Sequence, residues 1–363
     1  MNFVSKELLK KQNIIKGFFD YREYAVNEEQ FQIYSYFESS FLDLYGDYAD
    51  LFNIKNCCFY IKDDPRCNAF AIKEEGYNII GITNGYAINI SKMMDKKHFE
   101  SIVLAGINDD KLLKEAYIDL HHDKEFDFSK FFIDCSIKFT FNHEFQHIMQ
   151  YNSSKFGKNN FHFQENYKKC DFDIQRHVRE FDADRMGSFE LLKYVFRVHA
   201  NLKVKSDAKL KCLLYIGCSS MIITNYLFYL EVINQSETPL AVRKKEFYTK
   251  KYSHPHQLVR CINIMEYYFD NITNDLSRLK ITPQELLNNT FKVAKLYFDS
   301  LLPGHDNISA LFSDLNKHID TINEYNGELY DLAIQDKAIR NLLLSRNIQF
   351  DDIHSVNGTN LNK

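Results

Sequence analysis

Tryptophan is absent from the 363 residues, proline occurs five times and glycine 12 times. So few breakers argue against a loop-rich or all-β chain and favour helices. Charge of one sign is not in excess: 45 Lys and Arg stand against 49 Asp and Glu, a net charge of −4. A chain without a basic field is not expected to bind nucleic acid. None of the eight cysteines forms a Cys-x-x-Cys pair. Their scatter is not that of a disulfide framework, and reduced thiols of a cytoplasmic protein are the simplest reading. The first residues, Met1 to Lys11, lack the apolar core of a secretory signal. Internal repeats and low-complexity segments are also missing. What is present is a globular composition, 45% hydrophobic and 26% charged, with 31 Phe and 23 Tyr. That is enough apolar material for a sizeable core.

One stretch organises the rest. Residues 143–147 read His143-Glu144-Phe145-Gln146-His147, the His-Glu-x-x-His pattern. On a helix, positions i and i+4 share a face, so both imidazoles can reach one metal ion with Glu144 beside them. Zinc suits such a set, and Glu144 becomes the candidate general base toward a metal-bound water. Alone, the pattern is short enough to arise by chance, and two ordinary polar histidines on a helix are the bland reading. A third ligand decides between them. Downstream, Glu180 and Asp184 are again i and i+4 within Arg179-Glu180-Phe181-Asp182-Ala183-Asp184. Glu180 can complete a two-His, one-Glu set with an open fourth position. Asp184 can accept the other ring N–H of a ligand histidine and fix its tautomer. Asp182, on a different helix face, reads as solvated.

In chain order, residues 1–55 carry apolar residues at helical spacing and suggest two helices. Cys57–Ile61, Asn68–Ile72 and Tyr77–Thr83 read as strands, with turns at Asp63-Asp64-Pro65 and Glu74-Glu75-Gly76. A small antiparallel sheet is expected, and an edge at Tyr77–Thr83, around Ile80, could pair with an extended substrate. A helix should follow through Met94, and residues 95–127 read as a charged surface stretch. Its His121-His122 pair is a poor metal site, because adjacent residues do not share a helix face. Asn152 to Asp173 reads as a mobile polar loop that could border the cleft, with His162 and His177 as spare ligand candidates. Leu213 to Leu230 is an uncharged run of 18 residues, long enough for a membrane span but interrupted by Ser219, Ser220, Thr224 and Asn225. A buried core helix is favoured over membrane insertion. Pro255 is placed to start a helix. His254 and Arg260 could face the site. Two or three further helices are expected over residues 265–349, one starting at Thr282-Pro283, and a polar tail from Asp351.

These segments, in this order, resemble the gluzincin family of CAAX prenyl proteases and heat-shock membrane proteases. Asn68-Ala69-Phe70 with the following strand and Gly85, the zinc helix His143–His147, the stretch Arg179 to Gly187, and His254-Pro255 with Arg260 each match a family signature. The resemblance covers about Cys57 to Ile264. The chain is also similar to the Lit-type phage-exclusion peptidases, whose family activity is cleavage of elongation factor Tu during infection. The several hydrophobic spans of the membrane proteases are missing, so the soluble branch fits best. The resemblance implies that Asn68 binds substrate and that His254 stabilises the transition state.

The expectation is therefore an α+β, mostly helical, zincin-like fold with a small antiparallel sheet beside the His143–His147 helix. An N-terminal helical segment (1–55) would pack on a metallopeptidase core (56–265), followed by a helical region and polar tail (266–363). The expected activity is that of a zinc endopeptidase with one Zn2+ per chain, acting on a protein or peptide. His143, His147 and Glu180 would bind the metal. Glu144 and His254 would be catalytic, Asp184 would support a ligand, and Asn68, Ile80 and Arg260 would meet substrate. The rival readings are a metal-stabilised binding or sensor module without chemistry, and a membrane-associated protease.

Overall fold

The computed structural model describes residues 3–24, 27–92, 102, 110–153, 161–164, 172–230, 232, 246–302 and 307–346. Helices dominate and one small sheet accompanies them, so the α+β, mostly helical expectation holds. The N-terminal segment contains three helical pieces rather than two: α1 (Lys6–Lys11), the single turn α2 (Tyr21–Tyr24) and α3 (Glu28–Leu51). Asn27 starts α3, its side chain accepting from the Gln30 N–H at 2.8 Å and so satisfying one of the donors a helix start leaves open. Tyr34, Phe37, Phe41, Tyr45 and Ala49 recur at three- and four-residue steps and are buried. This stripe lies on the sheet, where Phe41 stacks on Phe59 with ring centroids 4.7 Å apart.

Strands β1 (Cys57–Lys62), β2 (Ala69–Glu74), β3 (Tyr77–Thr83) and β4 (Phe161–Gln164) form a sheet of order β1-β3-β2-β4. β2 and β3 make a hairpin through Glu75 and Gly76, at φ 50° and 84°, the positive values that its two-residue turn requires. The sheet is mixed rather than antiparallel. β1 runs parallel to β3, whereas β2 is antiparallel to both β3 and β4. Apolar runs mark strands but not their neighbours. The unbroken apolar run of β1, buried on both faces, is the pattern of a strand in a parallel pair. The stretch read as a polar loop supplies β4, paired with β2 from Lys73↔Phe161 to Phe70↔Gln164; residues 154–160 and 165–171 lie outside the described ones.

This order removes the expected substrate edge. β3 is hydrogen-bonded on both sides, so its backbone around Ile80 is not open to a peptide. The outer side of β1 is covered by the chain's own start. The Val4 N–H donates to the Cys57 carbonyl and the Phe19 N–H to the Ile61 carbonyl, both at 2.9 Å, and the Asp63 N–H donates to the Gly17 carbonyl at 2.7 Å. Helix α4 (Asn84–Lys92) follows β3; Met93 and Met94, through which it was expected to run, are not among the described residues. Of the charged stretch 95–127, α5 (Lys111–His122) is described.

Helices α6 (Phe128–Ser153) and α7 (Ile174–Asn201) pack along each other and carry the site. Every side chain from Phe139 to Tyr151 is buried. Gly187 of α7 meets Phe139 of α6: a Cβ there would lie 3.0 Å from the Phe139 ring and 3.1 Å from its carbonyl oxygen. A glycine inside a helix costs about 1 kcal/mol relative to alanine. Here it allows the close approach that brings Glu180, two turns away, to the histidines. Helix α8 (Asp207–Tyr229) contains the long uncharged run and is buried on all sides. Its hydroxyls find partners inside the fold. Ser220 Oγ donates to the Phe132 carbonyl at 3.0 Å and Thr224 Oγ1 to the Ser220 carbonyl at 2.7 Å.

Then come α9 (Gln257–Asp275), a 3-10 turn at Ser277–Leu279, α10 (Pro283–Leu301), α11 (Asn307–Gln335) and α12 (Lys337–Ser345). The N-cap of α9 is His256, whose Nδ1 accepts from the Leu258 N–H at 3.2 Å. Pro255 therefore stands just ahead of the helix rather than starting it. Thr282 caps α10 as expected, accepting from the Glu285 N–H at 3.1 Å. α9 runs across the expected boundary at residue 265, and one hydrophobic cluster extends from Tyr21 to Leu343. The residues of the expected tail from Asp351 lie outside those described.

Candidate metal centre

Helical spacing puts His143 and His147 one turn apart on α6, with their Nε2 atoms 3.1 Å from each other. Glu180 enters from α7. Its Oε2 lies 3.5 Å from His143 Nε2 and its Oε1 lies 3.4 Å from His147 Nε2. All three side chains are buried, and their donor atoms lie within 4.8 Å of one another. Ligands of a four-coordinate ion with zinc-like bond lengths stand about 3.3 Å apart. Two imidazoles and one carboxylate at these separations therefore fit a divalent cation. Glu144, next to His143 and 2% exposed, contributes no atom to the three-donor group.

A layer of charge surrounds the donors. Asp184 Oδ1 lies 3.1 Å from His143 Nδ1, the contact its spacing from Glu180 suggested. Arg260 grips Asp184 with two bonds, Nε to Oδ2 at 2.9 Å and one terminal nitrogen to Oδ1 at 2.7 Å. The same terminal nitrogen stands 3.6 Å from Glu180 Oε2. Arg260 therefore faces the site, as expected, through these two carboxylates. Its fork is held behind the ligand carboxylate, 4% exposed, and offsets the negative charge gathered there.

His254 is brought to the centre, its Nε2 3.5 Å from Glu180 Oε1 and its Nδ1 3.0 Å from Ser253 Oγ. Asn68 precedes β2, and its backbone exchanges hydrogen bonds with Thr83. Its buried Oδ1 has no hydrogen-bond partner among the described residues. Ile80 is fully buried in the central strand and meets no cleft through its backbone. His177, weighed as a spare ligand, is also fully buried and points elsewhere. Its Nε2 is 2.7 Å from the Tyr252 carbonyl and its Nδ1 2.8 Å from the Tyr325 hydroxyl. Burial lowers its pKa to about 4. His162 lies in β4, opposite Ile72. His121 and His122 belong to no metal-competent group among the described residues.

Sequence reasoning missed a polar group on the other side of His147. Its Nδ1 lies 3.0 Å from Gln150 Oε1. The Gln150 amide nitrogen donates to Asp182 Oδ2 at 2.8 Å and to the Arg179 carbonyl at 3.1 Å. Gln146 donates to the same Asp182 oxygen at 2.7 Å. Asp182, read as solvated, is fully buried, and burial raises its pKa. The face count was right, but α7 is packed by α6, α8, α9 and α11 and its buried stretch has no solvated face. The signal was there: Gln150 falls three residues after His147, on the same side of a helix flanked by apolar residues.

Set beside family models, curated proteins and solved structures, the chain matches none of them.

Proposed function

We propose that the chain is a zinc-dependent endopeptidase that hydrolyses peptide bonds of a protein substrate in the cytoplasm, on a zincin-like fold. The observation that carries this reading is the buried group of His143, His147 and Glu180, with Glu144 adjoining the first ligand on the same helix. Zinc in such a set supplies an activated water and polarises the scissile carbonyl. Glu144 takes the proton from the attacking water and returns it to the leaving amine. The role suits a carboxylate that is not spent on holding the ion. His254 Nδ1 lies 3.0 Å from Ser253 Oγ; in the tautomer that accepts from this hydroxyl, Nε2 carries the proton and can donate it to the developing oxyanion. Asn68 offers an amide oxygen to a substrate N–H. Arg260 and Asp184 orient and neutralise, and do not touch the reacting atoms. The resemblance to phage-exclusion peptidases adds a setting, cleavage of a host protein in an infected cell.

The test is Glu144→Gln. The change is nearly isosteric and should leave zinc content and thermal stability in place. It removes general-base catalysis, which typically contributes about 100- to 10,000-fold. Newly formed protein termini should accumulate in cells expressing the wild-type chain and vanish with the variant. A variant with normal zinc, full cellular effect and the same termini would mean the site acts by binding alone.

A further inference from the structure

The Nδ1 atoms of the two imidazoles meet different neighbours: Asp184 Oδ1 at His143 and Gln150 Oε1 at His147. We propose that Gln150, clamped by Asp182, is the positioning residue that fixes the tautomer of His147. This rests on the metal-centre reading and names a partner for the second ligand that its motif does not contain.

The orientation of the Gln150 amide follows from its neighbours. A glutamine offers two N–H donors and one carbonyl acceptor. Its nitrogen faces the Arg179 carbonyl, which can only accept, and Asp182 Oδ2, which accepts from it in the ionised form. Turning the amide over would set its oxygen against two oxygens, so the flipped form is excluded. Both N–H groups are then committed, and the atom left for His147 is the acceptor Oε1, 3.0 Å from Nδ1. An acceptor at that place requires Nδ1 to carry the proton. The lone pair is thereby left on Nε2, the atom that stands 3.4 Å from Glu180 Oε1. Asp182 is anchored in turn by Gln146, which lies between Glu144 and His147 in the chain. The clamp is buried throughout: Gln146, Gln150 and Asp182 are each 3% exposed or less. With no solvent to substitute for a lost partner, the imidazole could not be held by water in the same way.

The experiment uses the full-length protein loaded with zinc. Affinity is read by competition with a chromophoric chelator, and the protonated ring nitrogen by long-range proton–nitrogen NMR on histidine-labelled protein after the zinc is removed, since an ion on Nε2 would itself force the proton onto Nδ1. Wild type should show His147 protonated at Nδ1. Gln150→Met keeps the length and loses the acceptor, and zinc should bind about 10- to 100-fold more weakly, the usual loss when a ligand's supporting partner is removed. The paired change Gln150→Glu with Asp182→Asn restores an acceptor facing His147 and a donor facing residue 150, and should recover part of that loss. A merely structural Gln150 would weaken folding without moving the ring proton. Wild-type affinity in Gln150→Met, or a His147 proton on Nε2 in the wild-type protein, overturns the assignment. Failure of the metal centre itself looks different: His143→Ala would then bind zinc as the wild type does, and both readings fall together.

Discussion

His143 and His147 aim the same nitrogen at the same point, yet one is backed by charge and the other by an amide. Behind His143 run Asp184 and Arg260, a carboxylate at 3.1 Å and a guanidinium gripping it at 2.7 and 2.9 Å. Behind His147 stands the neutral Gln150, with Asp182 one layer further out. The difference teaches how much charge a buried centre tolerates. Glu144, Glu180 and Asp184 are three buried carboxylates, Arg260 brings one positive charge, and a divalent ion would bring two more. A carboxylate directly on His147 would add a fourth in a water-poor interior, where uncompensated charge is expensive. The amide delivers the same hydrogen bond without it. Asp182, held back by one residue, has its pKa raised by burial, which outweighs the opposing hydrogen bonds from Gln146 and Gln150 and the charge of Arg346.

The largest expected effect breaks both sides together. Purified protein should carry close to one zinc per chain. His143→Ala and Glu180→Ala should each lose nearly all of it by elemental analysis, and full occupancy in both would end the metal reading. Next comes the charged side alone. Arg260→Ala leaves Asp184 and Glu180 buried without their cation, and breaking a buried pair typically costs about 3–5 kcal/mol. Urea unfolding should show that loss, and Asp184→Asn added to Arg260→Ala should return part of it. An Arg260→Ala protein as stable as wild type would mean that the charge is compensated elsewhere.

A third buried imidazole sharpens the contrast at smaller size. His177 sits between a backbone carbonyl and a tyrosine hydroxyl, neutral, with a pKa lowered to about 4 by burial. In the unfolded chain it titrates near its ordinary value of 6.5. Between these values the unfolded state binds the extra proton. The stability from keeping His177 neutral is therefore complete above about pH 6.5 and is lost as the pH falls toward 4, by at most roughly 3 kcal/mol. Unfolding measured over that window should fall less steeply for His177→Gln than for wild type. Parallel curves would show that His177 is not the group responsible.

The candidate ligands were legible because helical spacing alone decides which side chains share a face. His143, His147, Glu180 and Asp184 needed only two correctly read helices and no knowledge of what surrounds them. Asp182 and Ile80 were misplaced for the converse reason. Whether an aspartate meets water or a buried amide depends on which helices pack around it, and a strand's own residues do not record whether it lies at the edge or the centre. β4 was hidden in a stretch with polar residues and Gly157 because its pairing with β2 is made by backbone, to which composition is nearly blind. Gln150 lay within sight, at helical spacing from His147, but a lone glutamine acquires meaning only when Asp182 is known to face it.

The burial of α8 has a consequence for the order in which the protein is made. Its 18 uncharged residues dock against partners synthesised both before and after them. Ser220 reaches back to Phe132, whereas Tyr268 donates to the Leu214 carbonyl at 3.2 Å and Tyr226 meets the ring of Phe298. Roughly seventy residues beyond Tyr229 must leave the ribosome before the last of these contacts can form, several seconds at about 5–20 residues per second. During that interval the nascent chain displays a segment with the length of a membrane span and one flank still bare. Its partner on the earlier side, α6, is the helix that carries the candidate metal ligands, so the same few seconds also govern when His143 and His147 are enclosed.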